Sequence, residues 1–149
     1  MDIWGDPELT RFAGGPYAPE AVRARMVREI AQIMDHGFQY WPVFLLEDDR
    51  HVGCAGLQIY DEEKRTYELG FYLRRAFWGR GFASEAARAV IDYGFSALGA
   101  EALFAGHHPL NEASRNVLLS VGFSYAGEAL YPPTGIVEPT YLLSRPLND

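Results

Sequence analysis

A chain of 149 residues, 48% hydrophobic, 14% aromatic and 22% charged, has the length and apolar content of one ordinary domain with a buried core, which excludes disorder and collagen-like repeats. No apolar run approaches the roughly 20 residues that cross a bilayer, and Met1-Asp2-Ile3-Trp4-Gly5-Asp6 lacks the basic and apolar regions of a secretory signal, so a cytoplasmic chain without a membrane partner is expected. Thirteen basic against 20 acidic residues give a net charge of −7, which disfavours nucleic acid as a partner. Cys54 is the single cysteine and the four histidines fall into no ligand spacing, so no metal site is expected.

In chain order, Asp6 followed by Pro7 predicts a short helix to Phe12, ended by the breaker Gly14-Gly15-Pro16-Tyr17-Ala18-Pro19. A longer helix starts near Pro19, with Val22, Met26, Val27, Ile30, Ile33 and Met34 at helical spacing and Gly37 as its stop. Short apolar runs then alternate with polar turns: Trp41 to Leu46, His51 to Tyr60 and Thr66 to Leu73, which predicts an antiparallel meander. A helix from about Ala83 to Leu98, a strand Ala102 to Gly106, a helix Asn111 to Val121 and strands near Phe123 to Gly127 and Thr140 to Leu143 complete the pattern. No linker or repeat divides it, so residues 1–149 read as one α+β domain. Strand, helix, strand over residues 66 to 106 requires one parallel pair within a mainly antiparallel sheet.

The most informative run is Glu68-Leu69-Gly70-Phe71-Tyr72-Leu73-Arg74-Arg75-Ala76-Phe77-Trp78-Gly79-Arg80-Gly81-Phe82-Ala83-Ser84, a strand, a glycine turn and a helix start. The first amides of a helix have no intrahelical acceptor and sit at the positive end of its dipole, so such a turn suits an anion, a phosphate above all. Arg74, Arg75 and Arg80 add fixed positive charge. No lysine follows the glycines, so this is not a nucleotide P-loop, and Ser84 stands where a dinucleotide fingerprint needs its third glycine. A strand-to-helix turn that uses glycine only for backbone freedom remains the competing reading.

Together with His108-Pro109-Leu110-Asn111-Glu112-Ala113-Ser114 and Val121-Gly122-Phe123, this run resembles the GNAT superfamily of acetyl-CoA-dependent N-acetyltransferases, most closely its Rim-type branch of ribosomal-protein-alanine acetyltransferases. The resemblance covers nearly the whole chain. It implies a mixed, mainly antiparallel sheet with helices on both faces, one parallel strand pair splayed for coenzyme A, and the family's first strand missing, which leaves the strand at Trp41 to Leu46 as an edge open to solvent or to a second subunit in a homodimer. It implies acetyl-CoA as co-substrate, its pyrophosphate wrapped by the main-chain amides of Gly79, Arg80, Gly81, Phe82, Ala83 and Ser84 after Trp78, and its pantetheine arm along Phe71, Tyr72 and Leu73 with a hydrogen bond from Asn111. Trp78 replaces the Gln or Arg common in the superfamily. Leu118 stands where many members carry a tyrosine acid.

Acetyl transfer to a primary amine of a small molecule or a protein N-terminus needs a base, a site for the oxyanion and a proton for the departing sulfur. Strand alternation puts Thr66, Glu68, Gly70 and Tyr72 on one face, so Glu68 is the candidate base, the competing reading being a solvated glutamate or a structural ion pair. Ser114 is the candidate proton relay by resemblance, or simply a first-turn helix serine. Asn111 reads also as a helix cap. His107 and His108 rank below Glu68 as bases, and Tyr125, Tyr131 and Tyr141 are reserve acids. Cys54 reads as a buried core thiol. The residues Gly14 to Pro19, Tyr40-Trp41 and Tyr131-Pro132-Pro133 are expected to border the acceptor pocket, and the acidic turns at Glu47 and Asp61 either attract an amine or form hairpin tips. A non-catalytic coenzyme A sensor and an interaction module are the rival functions.

Overall fold

Residues 3–147 are described by a computed structural model, and among them six strands form one sheet in the order β1-β2-β3-β4-β6-β5. The strands are β1 (Tyr40–Phe44), β2 (His51–Asp61), β3 (Thr66–Leu73), β4 (Ala102–Gly106), β5 (Ser124–Tyr131) and β6 (Ile136–Ser144). Every neighbouring pair is antiparallel except β3 with β4. The mixed sheet with one parallel pair therefore stands as expected, and β1 is its edge. Pro42 sits within β1, where an edge strand has no outer neighbour to miss its N–H.

Helices α3 (Phe82–Ser96) and α4 (Glu112–Ser120) pack on one face, where Leu57, Leu69, Leu103 and Ala105 of the sheet meet Ala87, Val90, Ile91 and Leu118. Tyr67 and Phe71 of β3 point into the same core, so the alternation read from sequence leaves Glu68, Gly70 and Tyr72 on the opposite face. That face is covered by α1 (Pro7–Thr10), α2 (Pro19–His36) and the chain before them: the Trp4 ring lies 4.7 Å from the Tyr72 ring, edge to face. No helix is long and apolar enough to cross a membrane among the described residues.

Capping explains the helix starts. The Asp6 carboxylate accepts from the amides of Glu8 and Leu9 at 2.8 and 3.1 Å, with Pro7 in the first turn. Asn111 accepts from Ser114 at 3.1 Å, and Gly37 ends α2 in the left-handed region.

The structure differs from the sequence reading in three places. Helix α2 forms where its period predicts, but Met26, Val27, Ile30 and Met34 face outward. The inward stripe is Val22, Arg25, Glu29 and Gln32, which docks by polar contacts: Gln32 donates to Leu57 O at 3.1 Å and the Tyr40 amide donates to Glu29 at 2.8 Å. Strands β5 and β6 extend to Tyr131 and back to Ile136, forming one long hairpin. Pro139 is tolerated inside β6 because β4 begins to pair with it only at Thr140. Finally, a short 3-10 turn at Arg75–Phe77 intervenes between β3 and the glycine turn.

Candidate active site

Strands β3 and β4 pair at Thr66–Ala102, Tyr67–Leu103 and Glu68–Phe104, and there the ladder stops although both strands continue. Beyond Glu68 they diverge. The Arg74 amide donates to Val52 O on β2 at 2.8 Å, so strand alternation turns the main-chain groups of Phe71 and Leu73 the other way, into the opening. The opening leads to the start of α3. Gly79 and Gly81 have φ of 69° and 82°, and a Cβ added at either would meet nothing within 4 Å, so the turn is open rather than packed. Gly81 is the N-cap residue and offers no side chain to the first amides of α3. An extended diphosphate ester with a peptide-like arm fits this arrangement: uncapped amides at one end and, along the other, strand groups that no neighbouring strand pairs, the Leu73 oxygen among them being held by the Trp78 indole.

Opening, turn and acceptor side form one continuous cleft of about 1100 Å³. Glu68, Phe71, Tyr72, Leu73, Trp78, Gly79, Gly81, Phe82, Ala83, Ser84, Asn111 and Ser114 all line it. Arg80 does not; its guanidinium lies 5.0 Å from the Phe82 ring and 5.8 Å from the Phe77 ring. Arg75 stacks 5.9 Å from Trp78 and stands 3.8 Å from Glu8. Two of the three arginines of the expected cluster thus lie against aromatic faces.

Burial holds the Glu68 carboxyl above its ordinary range, as a base that must accept a proton near neutrality requires. The histidines are engaged. His107 Nδ1 lies 2.8 Å from His108 O, which can only accept, so in the neutral ring Nε2 receives the Tyr141 hydroxyl proton at 3.1 Å. His108 accepts the Leu110 amide at Nδ1 and stacks 4.6 Å from Phe12. Neither neutral imidazole has a spare lone pair for a substrate.

Of the reserve tyrosines, only Tyr131 lines the cleft; burial pushes its hydroxyl up to about 12. Tyr125 and Tyr141 flank a shallow hollow beyond His107 instead. Leu118 is buried beneath the cleft floor. Cys54 is buried in β2 with its thiol pushed up to about 12, so it stays protonated and inert. Of the expected border pair, Tyr40 faces the cleft but Trp41 turns into the core against Tyr93, 5.0 Å between rings, since consecutive strand residues face opposite ways. The acidic turns at Glu47 and Asp61 are hairpin tips outside the cleft.

Among the cleft residues that the sequence reading missed, three stand out. Trp4 and Arg25 form one wall, the guanidinium 3.8 Å over the indole. Glu138 lies on β6 with 6% of its surface exposed and one carboxylate oxygen, Oε1, without a hydrogen-bond partner. Pro139 hid it by arguing against a strand at that point. The alternation Glu138, Thr140 against Tyr141, Leu143 was the available signal.

Residues 1–124 match the acetyltransferase (GNAT) domain family. The chain is 32% identical over 126 residues to the uncharacterized N-acetyltransferase p20 of Bacillus licheniformis, covering 83% of this chain and 71% of that protein. Matches to two Bacillus subtilis proteins, named uncharacterized N-acetyltransferase YoaA and probable N-acetyltransferase YjcK, span 49% and 63% of those proteins. Among solved structures, an acetyltransferase from Agrobacterium tumefaciens superposes with a TM-score of 0.82 at 24% identity, over 97% of this chain and 82% of that one.

Proposed function

The chain belongs to the GNAT acetyltransferase family, and from that premise we propose that it transfers the acetyl group of acetyl-CoA to a primary amine of a small molecule or a protein N-terminus, by direct attack within a ternary complex. The observation that carries this reading is the continuity of the diverging β3–β4 opening with the uncapped start of α3, on the face that also bears Glu68. When bound, acetyl-CoA supplies an electrophilic thioester carbonyl and a thiolate leaving group.

The residues divide the remaining work. Amides of Gly81 to Ser84 hold the diphosphate, and main-chain groups of Phe71 and Leu73, with Asn111, align the arm so that the thioester lies beside Glu68. Glu68, directly or through water, removes the proton from the acceptor ammonium. The freed nitrogen lone pair forms the N–C bond, the C–S bond breaks, and the second proton that the nitrogen sheds passes to the departing sulfur, with Ser114 polarising that hydrogen bond, so that an amide, a free thiol and one proton on Glu68 result. No covalent acyl-enzyme is required, because the one cysteine is buried and protonated.

The experiment is to offer acetyl-CoA with polyamines, amino acids, aminoglycosides and N-terminal peptides and to follow free thiol. Amine-dependent thiol release is expected. Binding of acetyl-CoA without release to any amine would instead assign a sensor, the reading favoured by Leu118 at the tyrosine position.

A further inference from the structure

Among the described residues, Glu138 is the one buried carboxylate on the acceptor side that the transfer reaction above leaves unused. It faces the same side of the sheet as Glu68: on β6, Tyr141 and Leu143 enter the core with α3 and α4, so Glu138 and Thr140 point the other way, toward the N-terminal segment. Gly106 of β4 lies between the two glutamates in the sheet order, and a Cβ there would stand in ordinary contact, 3.5 Å, with Glu138 Oε2, which puts the carboxylate directly over β4. A buried acceptor atom left unpaired destabilises the folded chain until a donor reaches it. Among the described residues no basic group acts on the Glu138 carboxyl, whose surroundings contribute burial and the charge of Glu68; Arg25, elsewhere in the cleft, stands 3.1 Å from Glu29 and over the Trp4 and Tyr40 rings.

The chemistry of the missing partner can be narrowed. A metal ion is poorly served, because no group of three or more His, Cys, Asp or Glu side chains suited to one occurs among the described residues. A neutral donor would not need the second carboxylate or the rings around it. Tyr17, Tyr72 and Tyr131 also line the cleft, beside Trp4 and Tyr40 whose faces already carry the Arg25 guanidinium, and aromatic rings together with carboxylates favour an organic cation. We propose that Glu138 is an acceptor-binding residue, whose carboxylate receives the protonated amino group of a cationic primary amine before Glu68 takes its proton. This deepens the acetyltransferase reading and rests on it for the fate of the amine, but binding of the cation can be measured without turnover.

The test uses the whole chain with three probes, butylammonium, benzylammonium and, as the uncharged isostere of the last, benzyl alcohol. Affinity is read by calorimetry with and without coenzyme A. The wild type is expected to bind at least one ammonium and to prefer benzylammonium to benzyl alcohol. Glu138→Gln should weaken ammonium binding by about tenfold or more while leaving benzyl alcohol and coenzyme A unaffected. Glu138→Asp, which keeps the charge on a shorter arm, should recover part of the loss and guards against a Gln variant that folds poorly. Failure of both ammonium ions to bind the wild type, or equal binding by the wild type and Glu138→Gln, overturns the proposal. Absence of coenzyme A binding would instead strike the acetyltransferase reading, and the two failures are therefore distinct.

Discussion

The indole Nε1 of Trp78 donates a 2.8 Å hydrogen bond to the main-chain oxygen of Leu73, tying the glycine turn to the last residue of β3. This oxygen faces the opening between β3 and β4, so the indole sets the angle between the two segments proposed to hold coenzyme A. The superfamily's Gln or Arg at this position would offer charge or an amide; here the side chain offers a brace. Trp78→Phe keeps the ring and deletes the donor. With 48% of Trp78 exposed, water can replace the lost bond, so the cost is about 1 kcal/mol. Coenzyme A affinity should fall up to roughly fivefold and the melting temperature by about 2–4 °C, as read by calorimetry and thermal unfolding. An unchanged affinity would show that the brace does not shape the site.

The turn itself depends on φ of 82° at Gly81, where a side chain has space but the backbone does not suit one. Gly81→Val should therefore act through strain of about 1–3 kcal/mol rather than through collision. Gly81→Asn, a residue that tolerates the left-handed region, should retain more coenzyme A binding than Gly81→Val. Both variants should lose more in cofactor affinity than in turnover at saturating acetyl-CoA. Equal losses in the two variants would point to collision with the ligand instead.

A second close approach shapes the acceptor side. A Cβ at Gly70 would stand 2.1 Å from the Tyr40 hydroxyl oxygen and 2.9 Å from two ring carbons. Gly70→Ala should cost roughly 1–3 kcal/mol as the ring is displaced, and should raise the acceptor KM because Tyr40 lines the cleft. Tyr40→Phe removes the atom in closest conflict, so the double variant should be more stable than the sum of the singles predicts, by about 0.5 kcal/mol or more. Additive thermal shifts would refute the contact.

Much of this was legible because the relevant signals are local. The run Glu68 to Ser84 carries strand alternation, paired glycines and a helix start within 17 residues, so the turn and the face of Glu68 could be read directly. The residues that escaped are those whose environment is set by distant chain. Periodicity located α2, but the side it buries is decided by what β1 and β2 offer, and they offer the Tyr40 amide and the Leu57 carbonyl rather than apolar side chains. Its polar stripe therefore turned inward. Glu138 escaped because Pro139 argues locally against a strand, whereas its tolerance depends on β4 ending at Gly106. Trp41 was assigned to the pocket with Tyr40 although adjacent strand residues diverge.

If Glu68 is the base, Glu68→Gln should lower turnover by roughly 100-fold or more at the pH where the acceptor amine is fully protonated. The deficit should shrink as pH rises and the free amine becomes abundant. Because burial raises the Glu68 carboxyl, the acidic limb of the wild-type profile should lie above the ordinary glutamate range. A constant loss at every pH would mean that Glu68 only positions the acceptor.

Glu138 gives a stability signature of its own. Burial, and then the charge of Glu68, push its carboxyl up to about 7 from an ordinary 4.5. Between those values the unfolded chain has released the proton while the folded chain still holds it, so the folded state binds more protons and stability falls as pH rises through the window. Below about pH 4.5 both states are protonated and the slope vanishes. The titratable groups around it are Glu68 on β3, Tyr131 on β5 and His107 at the end of β4, and Glu138→Gln leaves all three in place. The melting temperature of the wild type should therefore drop between pH 5 and pH 8 by more than that of Glu138→Gln. Glu68, also raised by burial, should leave the variant a smaller slope of the same sign. Parallel curves for the two proteins would mean that Glu138 ionises in the folded state as freely as in the unfolded one, and that its buried oxygen is already satisfied.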